Sequence, residues 1–315
     1  MAGSGAMAKE GVAAWQGGPV FTDTHAHVEK FAESLGEDAA EEILGAYSRS
    51  WADGHDSKAG ALAVATTEAP ALLLDPGTDV DDLVRRALLA ARLLGLPRDA
   101  DGRIALPPWF HLGAGVWPGR PALDDPGAAV ETLRASIAEA ALLGVRISAV
   151  GECGFDFHHM EADEKTQLRL FSAQIELARE LRLPLLVHSR DAARATLEAL
   201  GDSPRDIPVI IHCFGYGPEE ARAFLDAGCH LSFAGNLTYK KSESLREALA
   251  LVPEDRLLLE TDAPYMNPEP RRGKASSPLD VARSYEKAAV LRGTAASELA
   301  ARVSVNAFGI FAPKG

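Results

Sequence analysis

Six residues of this sequence have side chains and spacing suited to metal chemistry. The stretch "FTDTHAHVEK" (21–30) holds His25 and His27 one residue apart, so in an extended chain both rings point to the same side. Glu152 follows the apolar run "ISAVG", His188 follows "LPLLV", His212 follows "VII", and Asp262 ends "LLLETD". Each has an ordinary reading when taken alone. The two histidines of "HAH" could be a hydrogen-bonded pair, Glu152 and Asp262 helix caps, and His188 and His212 satisfied core histidines. Brought to one place these readings fail together, because four imidazoles and two carboxylates are costly to bury without a cation.

Six ligands exceed what one tetrahedral ion needs. Two divalent ions sharing Glu152 fit the number better. His25, His27, Glu152 and Asp262 would hold the first; Glu152, His188 and His212 would hold the second and leave it an open position. Ligation this rich in imidazole favours Zn²⁺ or Mn²⁺ over Mg²⁺. Such a pair can activate water for a displacement, with Asp262 as general base and Glu152 as the shared catalytic carboxylate. The other five histidines (His55, His111, His158, His159 and His230) lie elsewhere and are given no primary role.

The elements that must carry these residues recur along the chain. Eight apolar runs, at 20–23, 71–77, 110–116, 147–154, 183–189, 209–213, 230–235 and 257–263, alternate with helix-like stretches such as "EKTQLRLFSAQIELARELR". Continuous rather than alternating hydrophobicity suits parallel strands buried on both faces. Eight strand–helix units predict an α/β fold, a single (β/α)8 TIM barrel, with functional side chains at the C-terminal ends of the strands. Residues 1–18 read as a disordered leader or a cloning remnant, and 19–315 as one barrel domain. Residues 35–68 are long for one connection and predict an extra helix or a lid.

Composition narrows the partners. A net charge of −13 (32 basic against 45 acidic residues) argues against a basic surface that grips long nucleic acid, though not against a small site that handles one phosphate at a time. No apolar run approaches the roughly 18 residues that span a bilayer. Three cysteines, Cys153, Cys213 and Cys229, without scaffold spacing fit a reducing cytoplasm. Neither a membrane nor a stable protein partner is expected.

The blocks "DTHAH", "GECGFDF", "LPLLVHSRDA", "IHCFGY" and "LLLETDAPY", in that order, resemble the signature blocks of the TatD family of metal-dependent deoxyribonucleases, in the amidohydrolase superfamily. The resemblance runs from about Phe21 to the "VNAFGIF" ending. It implies a TIM-barrel hydrolase that cuts phosphodiester bonds as a 3′–5′ exonuclease, acting on DNA ends or small nucleotides with two divalent ions (Zn, Mn or Mg). His25, His27, Glu152, His188, His212 and Asp262 fall on the family's metal ligands, and Arg190 and Tyr265 lie near where substrate would sit. Two positions depart: Trp117 in "GVWPG" stands where a histidine is usual, and Ser277 in "KASSPLD" where an asparagine is usual. Trp117 offers a face to a splayed base, and Arg271 in "PRRGKASS" offers paired donors to phosphate. Two other readings keep the metal site: hydrolysis of a carboxylic ester or amide such as an aminoacyl-tRNA, or a non-catalytic metal-binding scaffold.

Overall fold

The computed structural model of the protein describes residues 19–56 and 70–312. The chain runs α1 (Val28–Leu35), α2 (Glu37–Asp56), β1 (Leu73–Asp75), α3 (Asp82–Leu93), β2 (Phe110–Ala114), α4 (Pro126–Leu142) and β3 (Ala149–Asp156). It continues through α5 (Glu164–Leu181), β4 (Leu185–Arg190), α6 (Ala193–Leu200), α7 (Ser203–Asp206), β5 (Val209–Ile211) and α8 (Pro218–Ala227). β6 (His230–Phe233), α9 (Glu243–Leu251), β7 (Leu257–Leu259), α10 (Val281–Arg292) and α11 (Ala296–Phe311) complete it. Each strand pairs in parallel with the next, giving one seven-stranded sheet in the order β1 to β7.

The apolar runs dictate this arrangement. Every residue of β1, β2, β3, β5 and β7 is buried, as strands covered on both faces must be. The helices supply the cover. α5 buries Leu170, Phe171, Ile175, Leu177 and Ala178; Asp163 caps its start by accepting from the Thr166 N–H, and a left-handed Arg182 ends it.

One expected strand is absent as a regular element. The run 20–23 forms no ladder; it and the segment that follows make only single parallel bridges, Asp23 to Leu73 and Ala26 to Ala263. The Asp23 and Ala26 N–H groups donate to Leu72 and Leu74 carbonyls, while the His27 N–H donates to Ala263 and the Asp262 N–H to His25. Two causes interrupt the ladder. Asp262 has φ +57°, which turns the chain beyond β7 out of the extended conformation. Side chains then take over from backbone: the Asp23 carboxylate accepts from the Thr261 N–H (3.0 Å) and hydroxyl (2.6 Å), and Thr22 Oγ1 accepts from the Leu72 N–H (3.1 Å). Both edges of the sheet are thereby tied to one short segment.

The long connection at 35–68 contains the extra helix, α2. Its buried Tyr47 stacks on Trp109, ring centroids 5.6 Å apart, and donates its hydroxyl to the Phe21 carbonyl (3.0 Å). The described part of this insertion is therefore a wall element; residues 57–68, on which a lid would have to rest, and the 1–18 leader lie outside the described residues. Among the described residues no helix is long and apolar enough to cross a membrane.

Candidate metal centre

His25 and His27 lie on the tying segment before α1, Glu152 within β3, His188 within β4, His212 one residue past β5, and Asp262 beyond β7. Glu152 owes its direction to an irregular strand. The register of β3 against β4 shifts between Val150 and Cys153. Beside this shift the Glu152 N–H donates to the Gly77 carbonyl (2.6 Å), while the Gly77 N–H donates to Gly151 (3.0 Å). Backbones meet so closely here that a Cβ on Gly115 would stand 2.3 Å from Gly151 Cα. Such an irregularity re-aims one side chain, here into the cluster.

All six predicted ligands converge. Glu152 Oε2 is 3.2 Å from His25 Nε2 and 3.6 Å from His27 Nε2, while Asp262 Oδ1 is 3.4 Å from His27 Nε2 and 3.9 Å from His25 Nε2. Glu152 Oε1 faces the other way, 3.1 Å from His188 Nδ1 and 3.3 Å from His212 Nε2. The donors of His25, His27 and Asp262, and those of Glu152, His188 and His212, each lie close enough to ligate one ion. His25 also stacks flat on His212, centroids 3.9 Å apart, with Glu260 beside both.

The donor set fits a cation for a specific reason. Asp156 Oδ2 lies 3.1 Å from His188 Nε2 and, as a carboxylate, can only accept, so that nitrogen carries the proton. In the neutral ring His188 Nδ1 is then a lone pair pointing at Glu152 Oε1 and, 3.3 Å away, at His212 Nε2. Glu260 stands 3.4 Å behind His212 Nδ1 and favours the matching tautomer there. Acceptors crowded against acceptors repel unless a positive charge sits between them. A carboxylate behind His188 and another beside His212 is also the pattern that fixes metal-ligating imidazoles.

Electrostatics agree. Burial would push Glu152 up, but His212, His188 and His25 overturn it and hold the carboxyl well below its ordinary range. Asp262 is kept low in the same way, against burial, by the His27 hydrogen bond and neighbouring imidazoles. Burial lowers His212 and His188, yet Glu152, with Glu260 for one and Asp156 for the other, lifts both above the usual imidazole value. His25 goes the other way, pushed down by burial and by His212. Left with protons alone the cluster would gather them; a divalent cation supplies the same charge and displaces them.

A cavity of about 690 Å³ opens over the cluster. Arg190, Tyr265 and Trp117 line it, as does His159. Trp117 sits edge-on between His188 and His159, at 5.7 and 5.9 Å. Arg271 does not line the cavity; it pairs with Asp280 at 3.7 Å. Ser277 is likewise turned away, its N–H and hydroxyl donating to Asp280. Sequence reasoning missed Asp156, Glu260 and His159. The first two carried a signal: Asp156 is four residues after Glu152 and Glu260 two before Asp262, spacings that favour a shared face in an extended chain. His159 had none beyond following its neighbour His158.

The model of the TatD-related DNase family matches residues 105–312. Over 172 residues the chain is 41% identical to the uncharacterized metal-dependent hydrolase YcfH of Escherichia coli, covering 54% of this chain and 63% of that protein. Over 169 residues it is 36% identical to the 3′–5′ ssDNA/RNA exonuclease TatD of Erwinia tasmaniensis, covering 52% of this chain and 65% of that protein. The alignments thus span just under two thirds of each relative. The crystal structure of the TatD homologue YJJV from Escherichia coli has the same fold, with a TM-score of 0.69, 24% identity, and coverage of 92% of this chain and 97% of that one. Since the family match takes in most of the chain, the protein belongs to the TatD-related DNases, a family of metal-dependent hydrolases.

Proposed function

We propose that this enzyme hydrolyses phosphodiester bonds at the 3′ ends of DNA, as a 3′–5′ exonuclease using two divalent cations (Zn, Mn or Mg) that share Glu152. The observation that carries this reading is the division of one carboxylate. Glu152 Oε2 faces His25 and His27, and its Oε1 faces His188 and His212. With Thr22–His27 taken as the eighth stave, the sheet reads as a closed (β/α)8 barrel within one domain over 19–315. The free thiols suit a reducing cytoplasm.

Divalent cations held by these residues would stabilise charge on phosphoryl oxygens and ease the deprotonation of water. The chain's own groups do the rest. Asp262, ionised and facing the cavity, accepts the proton that water loses as it attacks phosphorus. Arg190 at the cavity mouth has paired donors for a phosphate, and Tyr265 and Trp117 present aromatic faces to a terminal base. A small acidic protein with such a pocket suits ends rather than long tracts.

The test couples elemental analysis of the purified protein to cleavage of short labelled DNA with Zn²⁺, Mn²⁺ or Mg²⁺. Two metals per chain with stepwise shortening from the 3′ end is the expected result. Two metals with intact DNA would overturn the substrate and turn attention to carboxylic esters and amides. A single metal would overturn the bridging role of Glu152.

A further inference from the structure

Asp156 holds two imidazoles, and only one of them belongs to the metal-ligand cluster. Its Oδ2 lies 3.1 Å from His188 Nε2 and 2.9 Å from His159 Nδ1, while its Oδ1 accepts from the backbone N–H groups of His158 and His159 at 2.9 and 2.7 Å. The residue is 1% exposed, and each nitrogen set against this carboxylate carries a proton. His159 thus sets its Nδ1 N–H on the carboxylate and leaves Nε2 as its unbonded ring nitrogen. The other histidines lining the cavity, His27, His188 and His212, are all in the cluster; His159 is not. Its ring is steadied edge-on by Trp117 at 5.9 Å. A carboxylate behind an imidazole that lines the cavity is the arrangement that orients a proton-transferring histidine.

We propose that His159 is a further catalytic residue, the acid that protonates the leaving oxygen; this rests on the phosphodiesterase reading above. In the step, the oxygen of water bonds to phosphorus and its proton passes to Asp262. The bond from phosphorus to the 3′ oxygen of the preceding nucleotide breaks, and its electron pair stays on that oxygen. The proton on His159 Nε2 moves to the same oxygen, leaving a neutral ring still bonded through Nδ1 to Asp156. Transfer of one proton through solvent from Asp262 to His159 restores both groups.

The experiment compares wild type with H159Q, both loaded with Mn²⁺, on two diesters. One is a 3′-labelled oligodeoxynucleotide; the other is the p-nitrophenyl ester of thymidine 5′-monophosphate, whose nitrophenolate leaves without needing a proton. Loss of a general acid is expected to slow kcat on the oligonucleotide by about 100-fold or more, and at least about tenfold less on the nitrophenyl ester. Metal content should not change, which separates proton donation from site assembly. Equal losses on the two diesters, a fall in bound metal, or undiminished oligonucleotide cleavage would each overturn the role of His159. A wild type inert on both diesters refutes the phosphodiesterase reading and this one with it, whereas an active wild type confines any failure to His159.

Discussion

Replacing Asp156 with asparagine changes the character of one buried atom and little else. Oδ1 still accepts from the His158 and His159 N–H groups, but an NH₂ now stands where Oδ2 lay, opposite the protons on His188 Nε2 at 3.1 Å and His159 Nδ1 at 2.9 Å. Turning the amide round only sets its NH₂ against the two backbone donors instead. His188 must give up the bond or move its proton to Nδ1, the atom that faces Glu152 Oε1 at 3.1 Å. A lost hydrogen bond to a charged group costs about 1.5–3 kcal/mol, equivalent to about 10- to 100-fold in metal affinity. Asp156 bonds to none of His25, His27 or Asp262, so the loss should fall on one cation only. Calorimetric titration of metal-stripped protein with Zn²⁺ or Mn²⁺ should show one site weakened by that factor and the other within about twofold of wild type. Equal weakening of both sites, or of neither, would refute the tautomer argument and the separation of the ligands into two sets.

Gly154 has φ +143° and would place a Cβ 2.0 Å from the His188 carbonyl oxygen, so Gly154→Ala should destabilise the fold by about 3 kcal/mol or more. A wild-type melting temperature for that variant would contradict the packing of β3 on β4. Acid should act through a histidine remote from the metal ligands: burial drives His111 from 6.5 down to about 4. The unfolded chain then binds a proton that the native state refuses, so stability is full above about pH 6.5 and falls as pH drops towards 4, by up to ~3 kcal/mol for this residue. Urea unfolding at pH 7 and pH 4.5 should show a shallower loss in His111→Gln; an identical loss would assign the acid sensitivity to other groups.

The six clustered residues were legible because apolar strand runs end abruptly in titratable residues, and burial makes such an ending informative. The strand that failed was the one whose partner is irregular. Nothing in "LLLETDAP" announces that Asp262 adopts a left-handed backbone, and that turn is what breaks the ladder to the first segment. Asp156 and Glu260 were in phase with chosen ligands yet unchosen, since a carboxylate behind a histidine looks like any strand-end acid until the ring it touches is known. Loop residues were the least legible. Arg190 and Tyr265 reach the cavity, but Arg271 folds back on Asp280, a choice fixed by local geometry and not by any periodicity.

The bond between the Asp23 carboxylate and the Thr261 hydroxyl joins residues 238 positions apart. A polypeptide made from its N-terminus leaves the ribosome with His25 and His27 before the other four and Asp262 after them. Glu152, His188 and His212 sit on β3, on β4 and just past β5, so that set has all its strands before β6 and β7 are made. The set of His25, His27 and Asp262 has no third member until β7 and the residues beyond it have been translated. Chain order thus separates the two sets: Glu152, His188 and His212 are all synthesised before Asp262, while His25 and His27 wait longest for their partner.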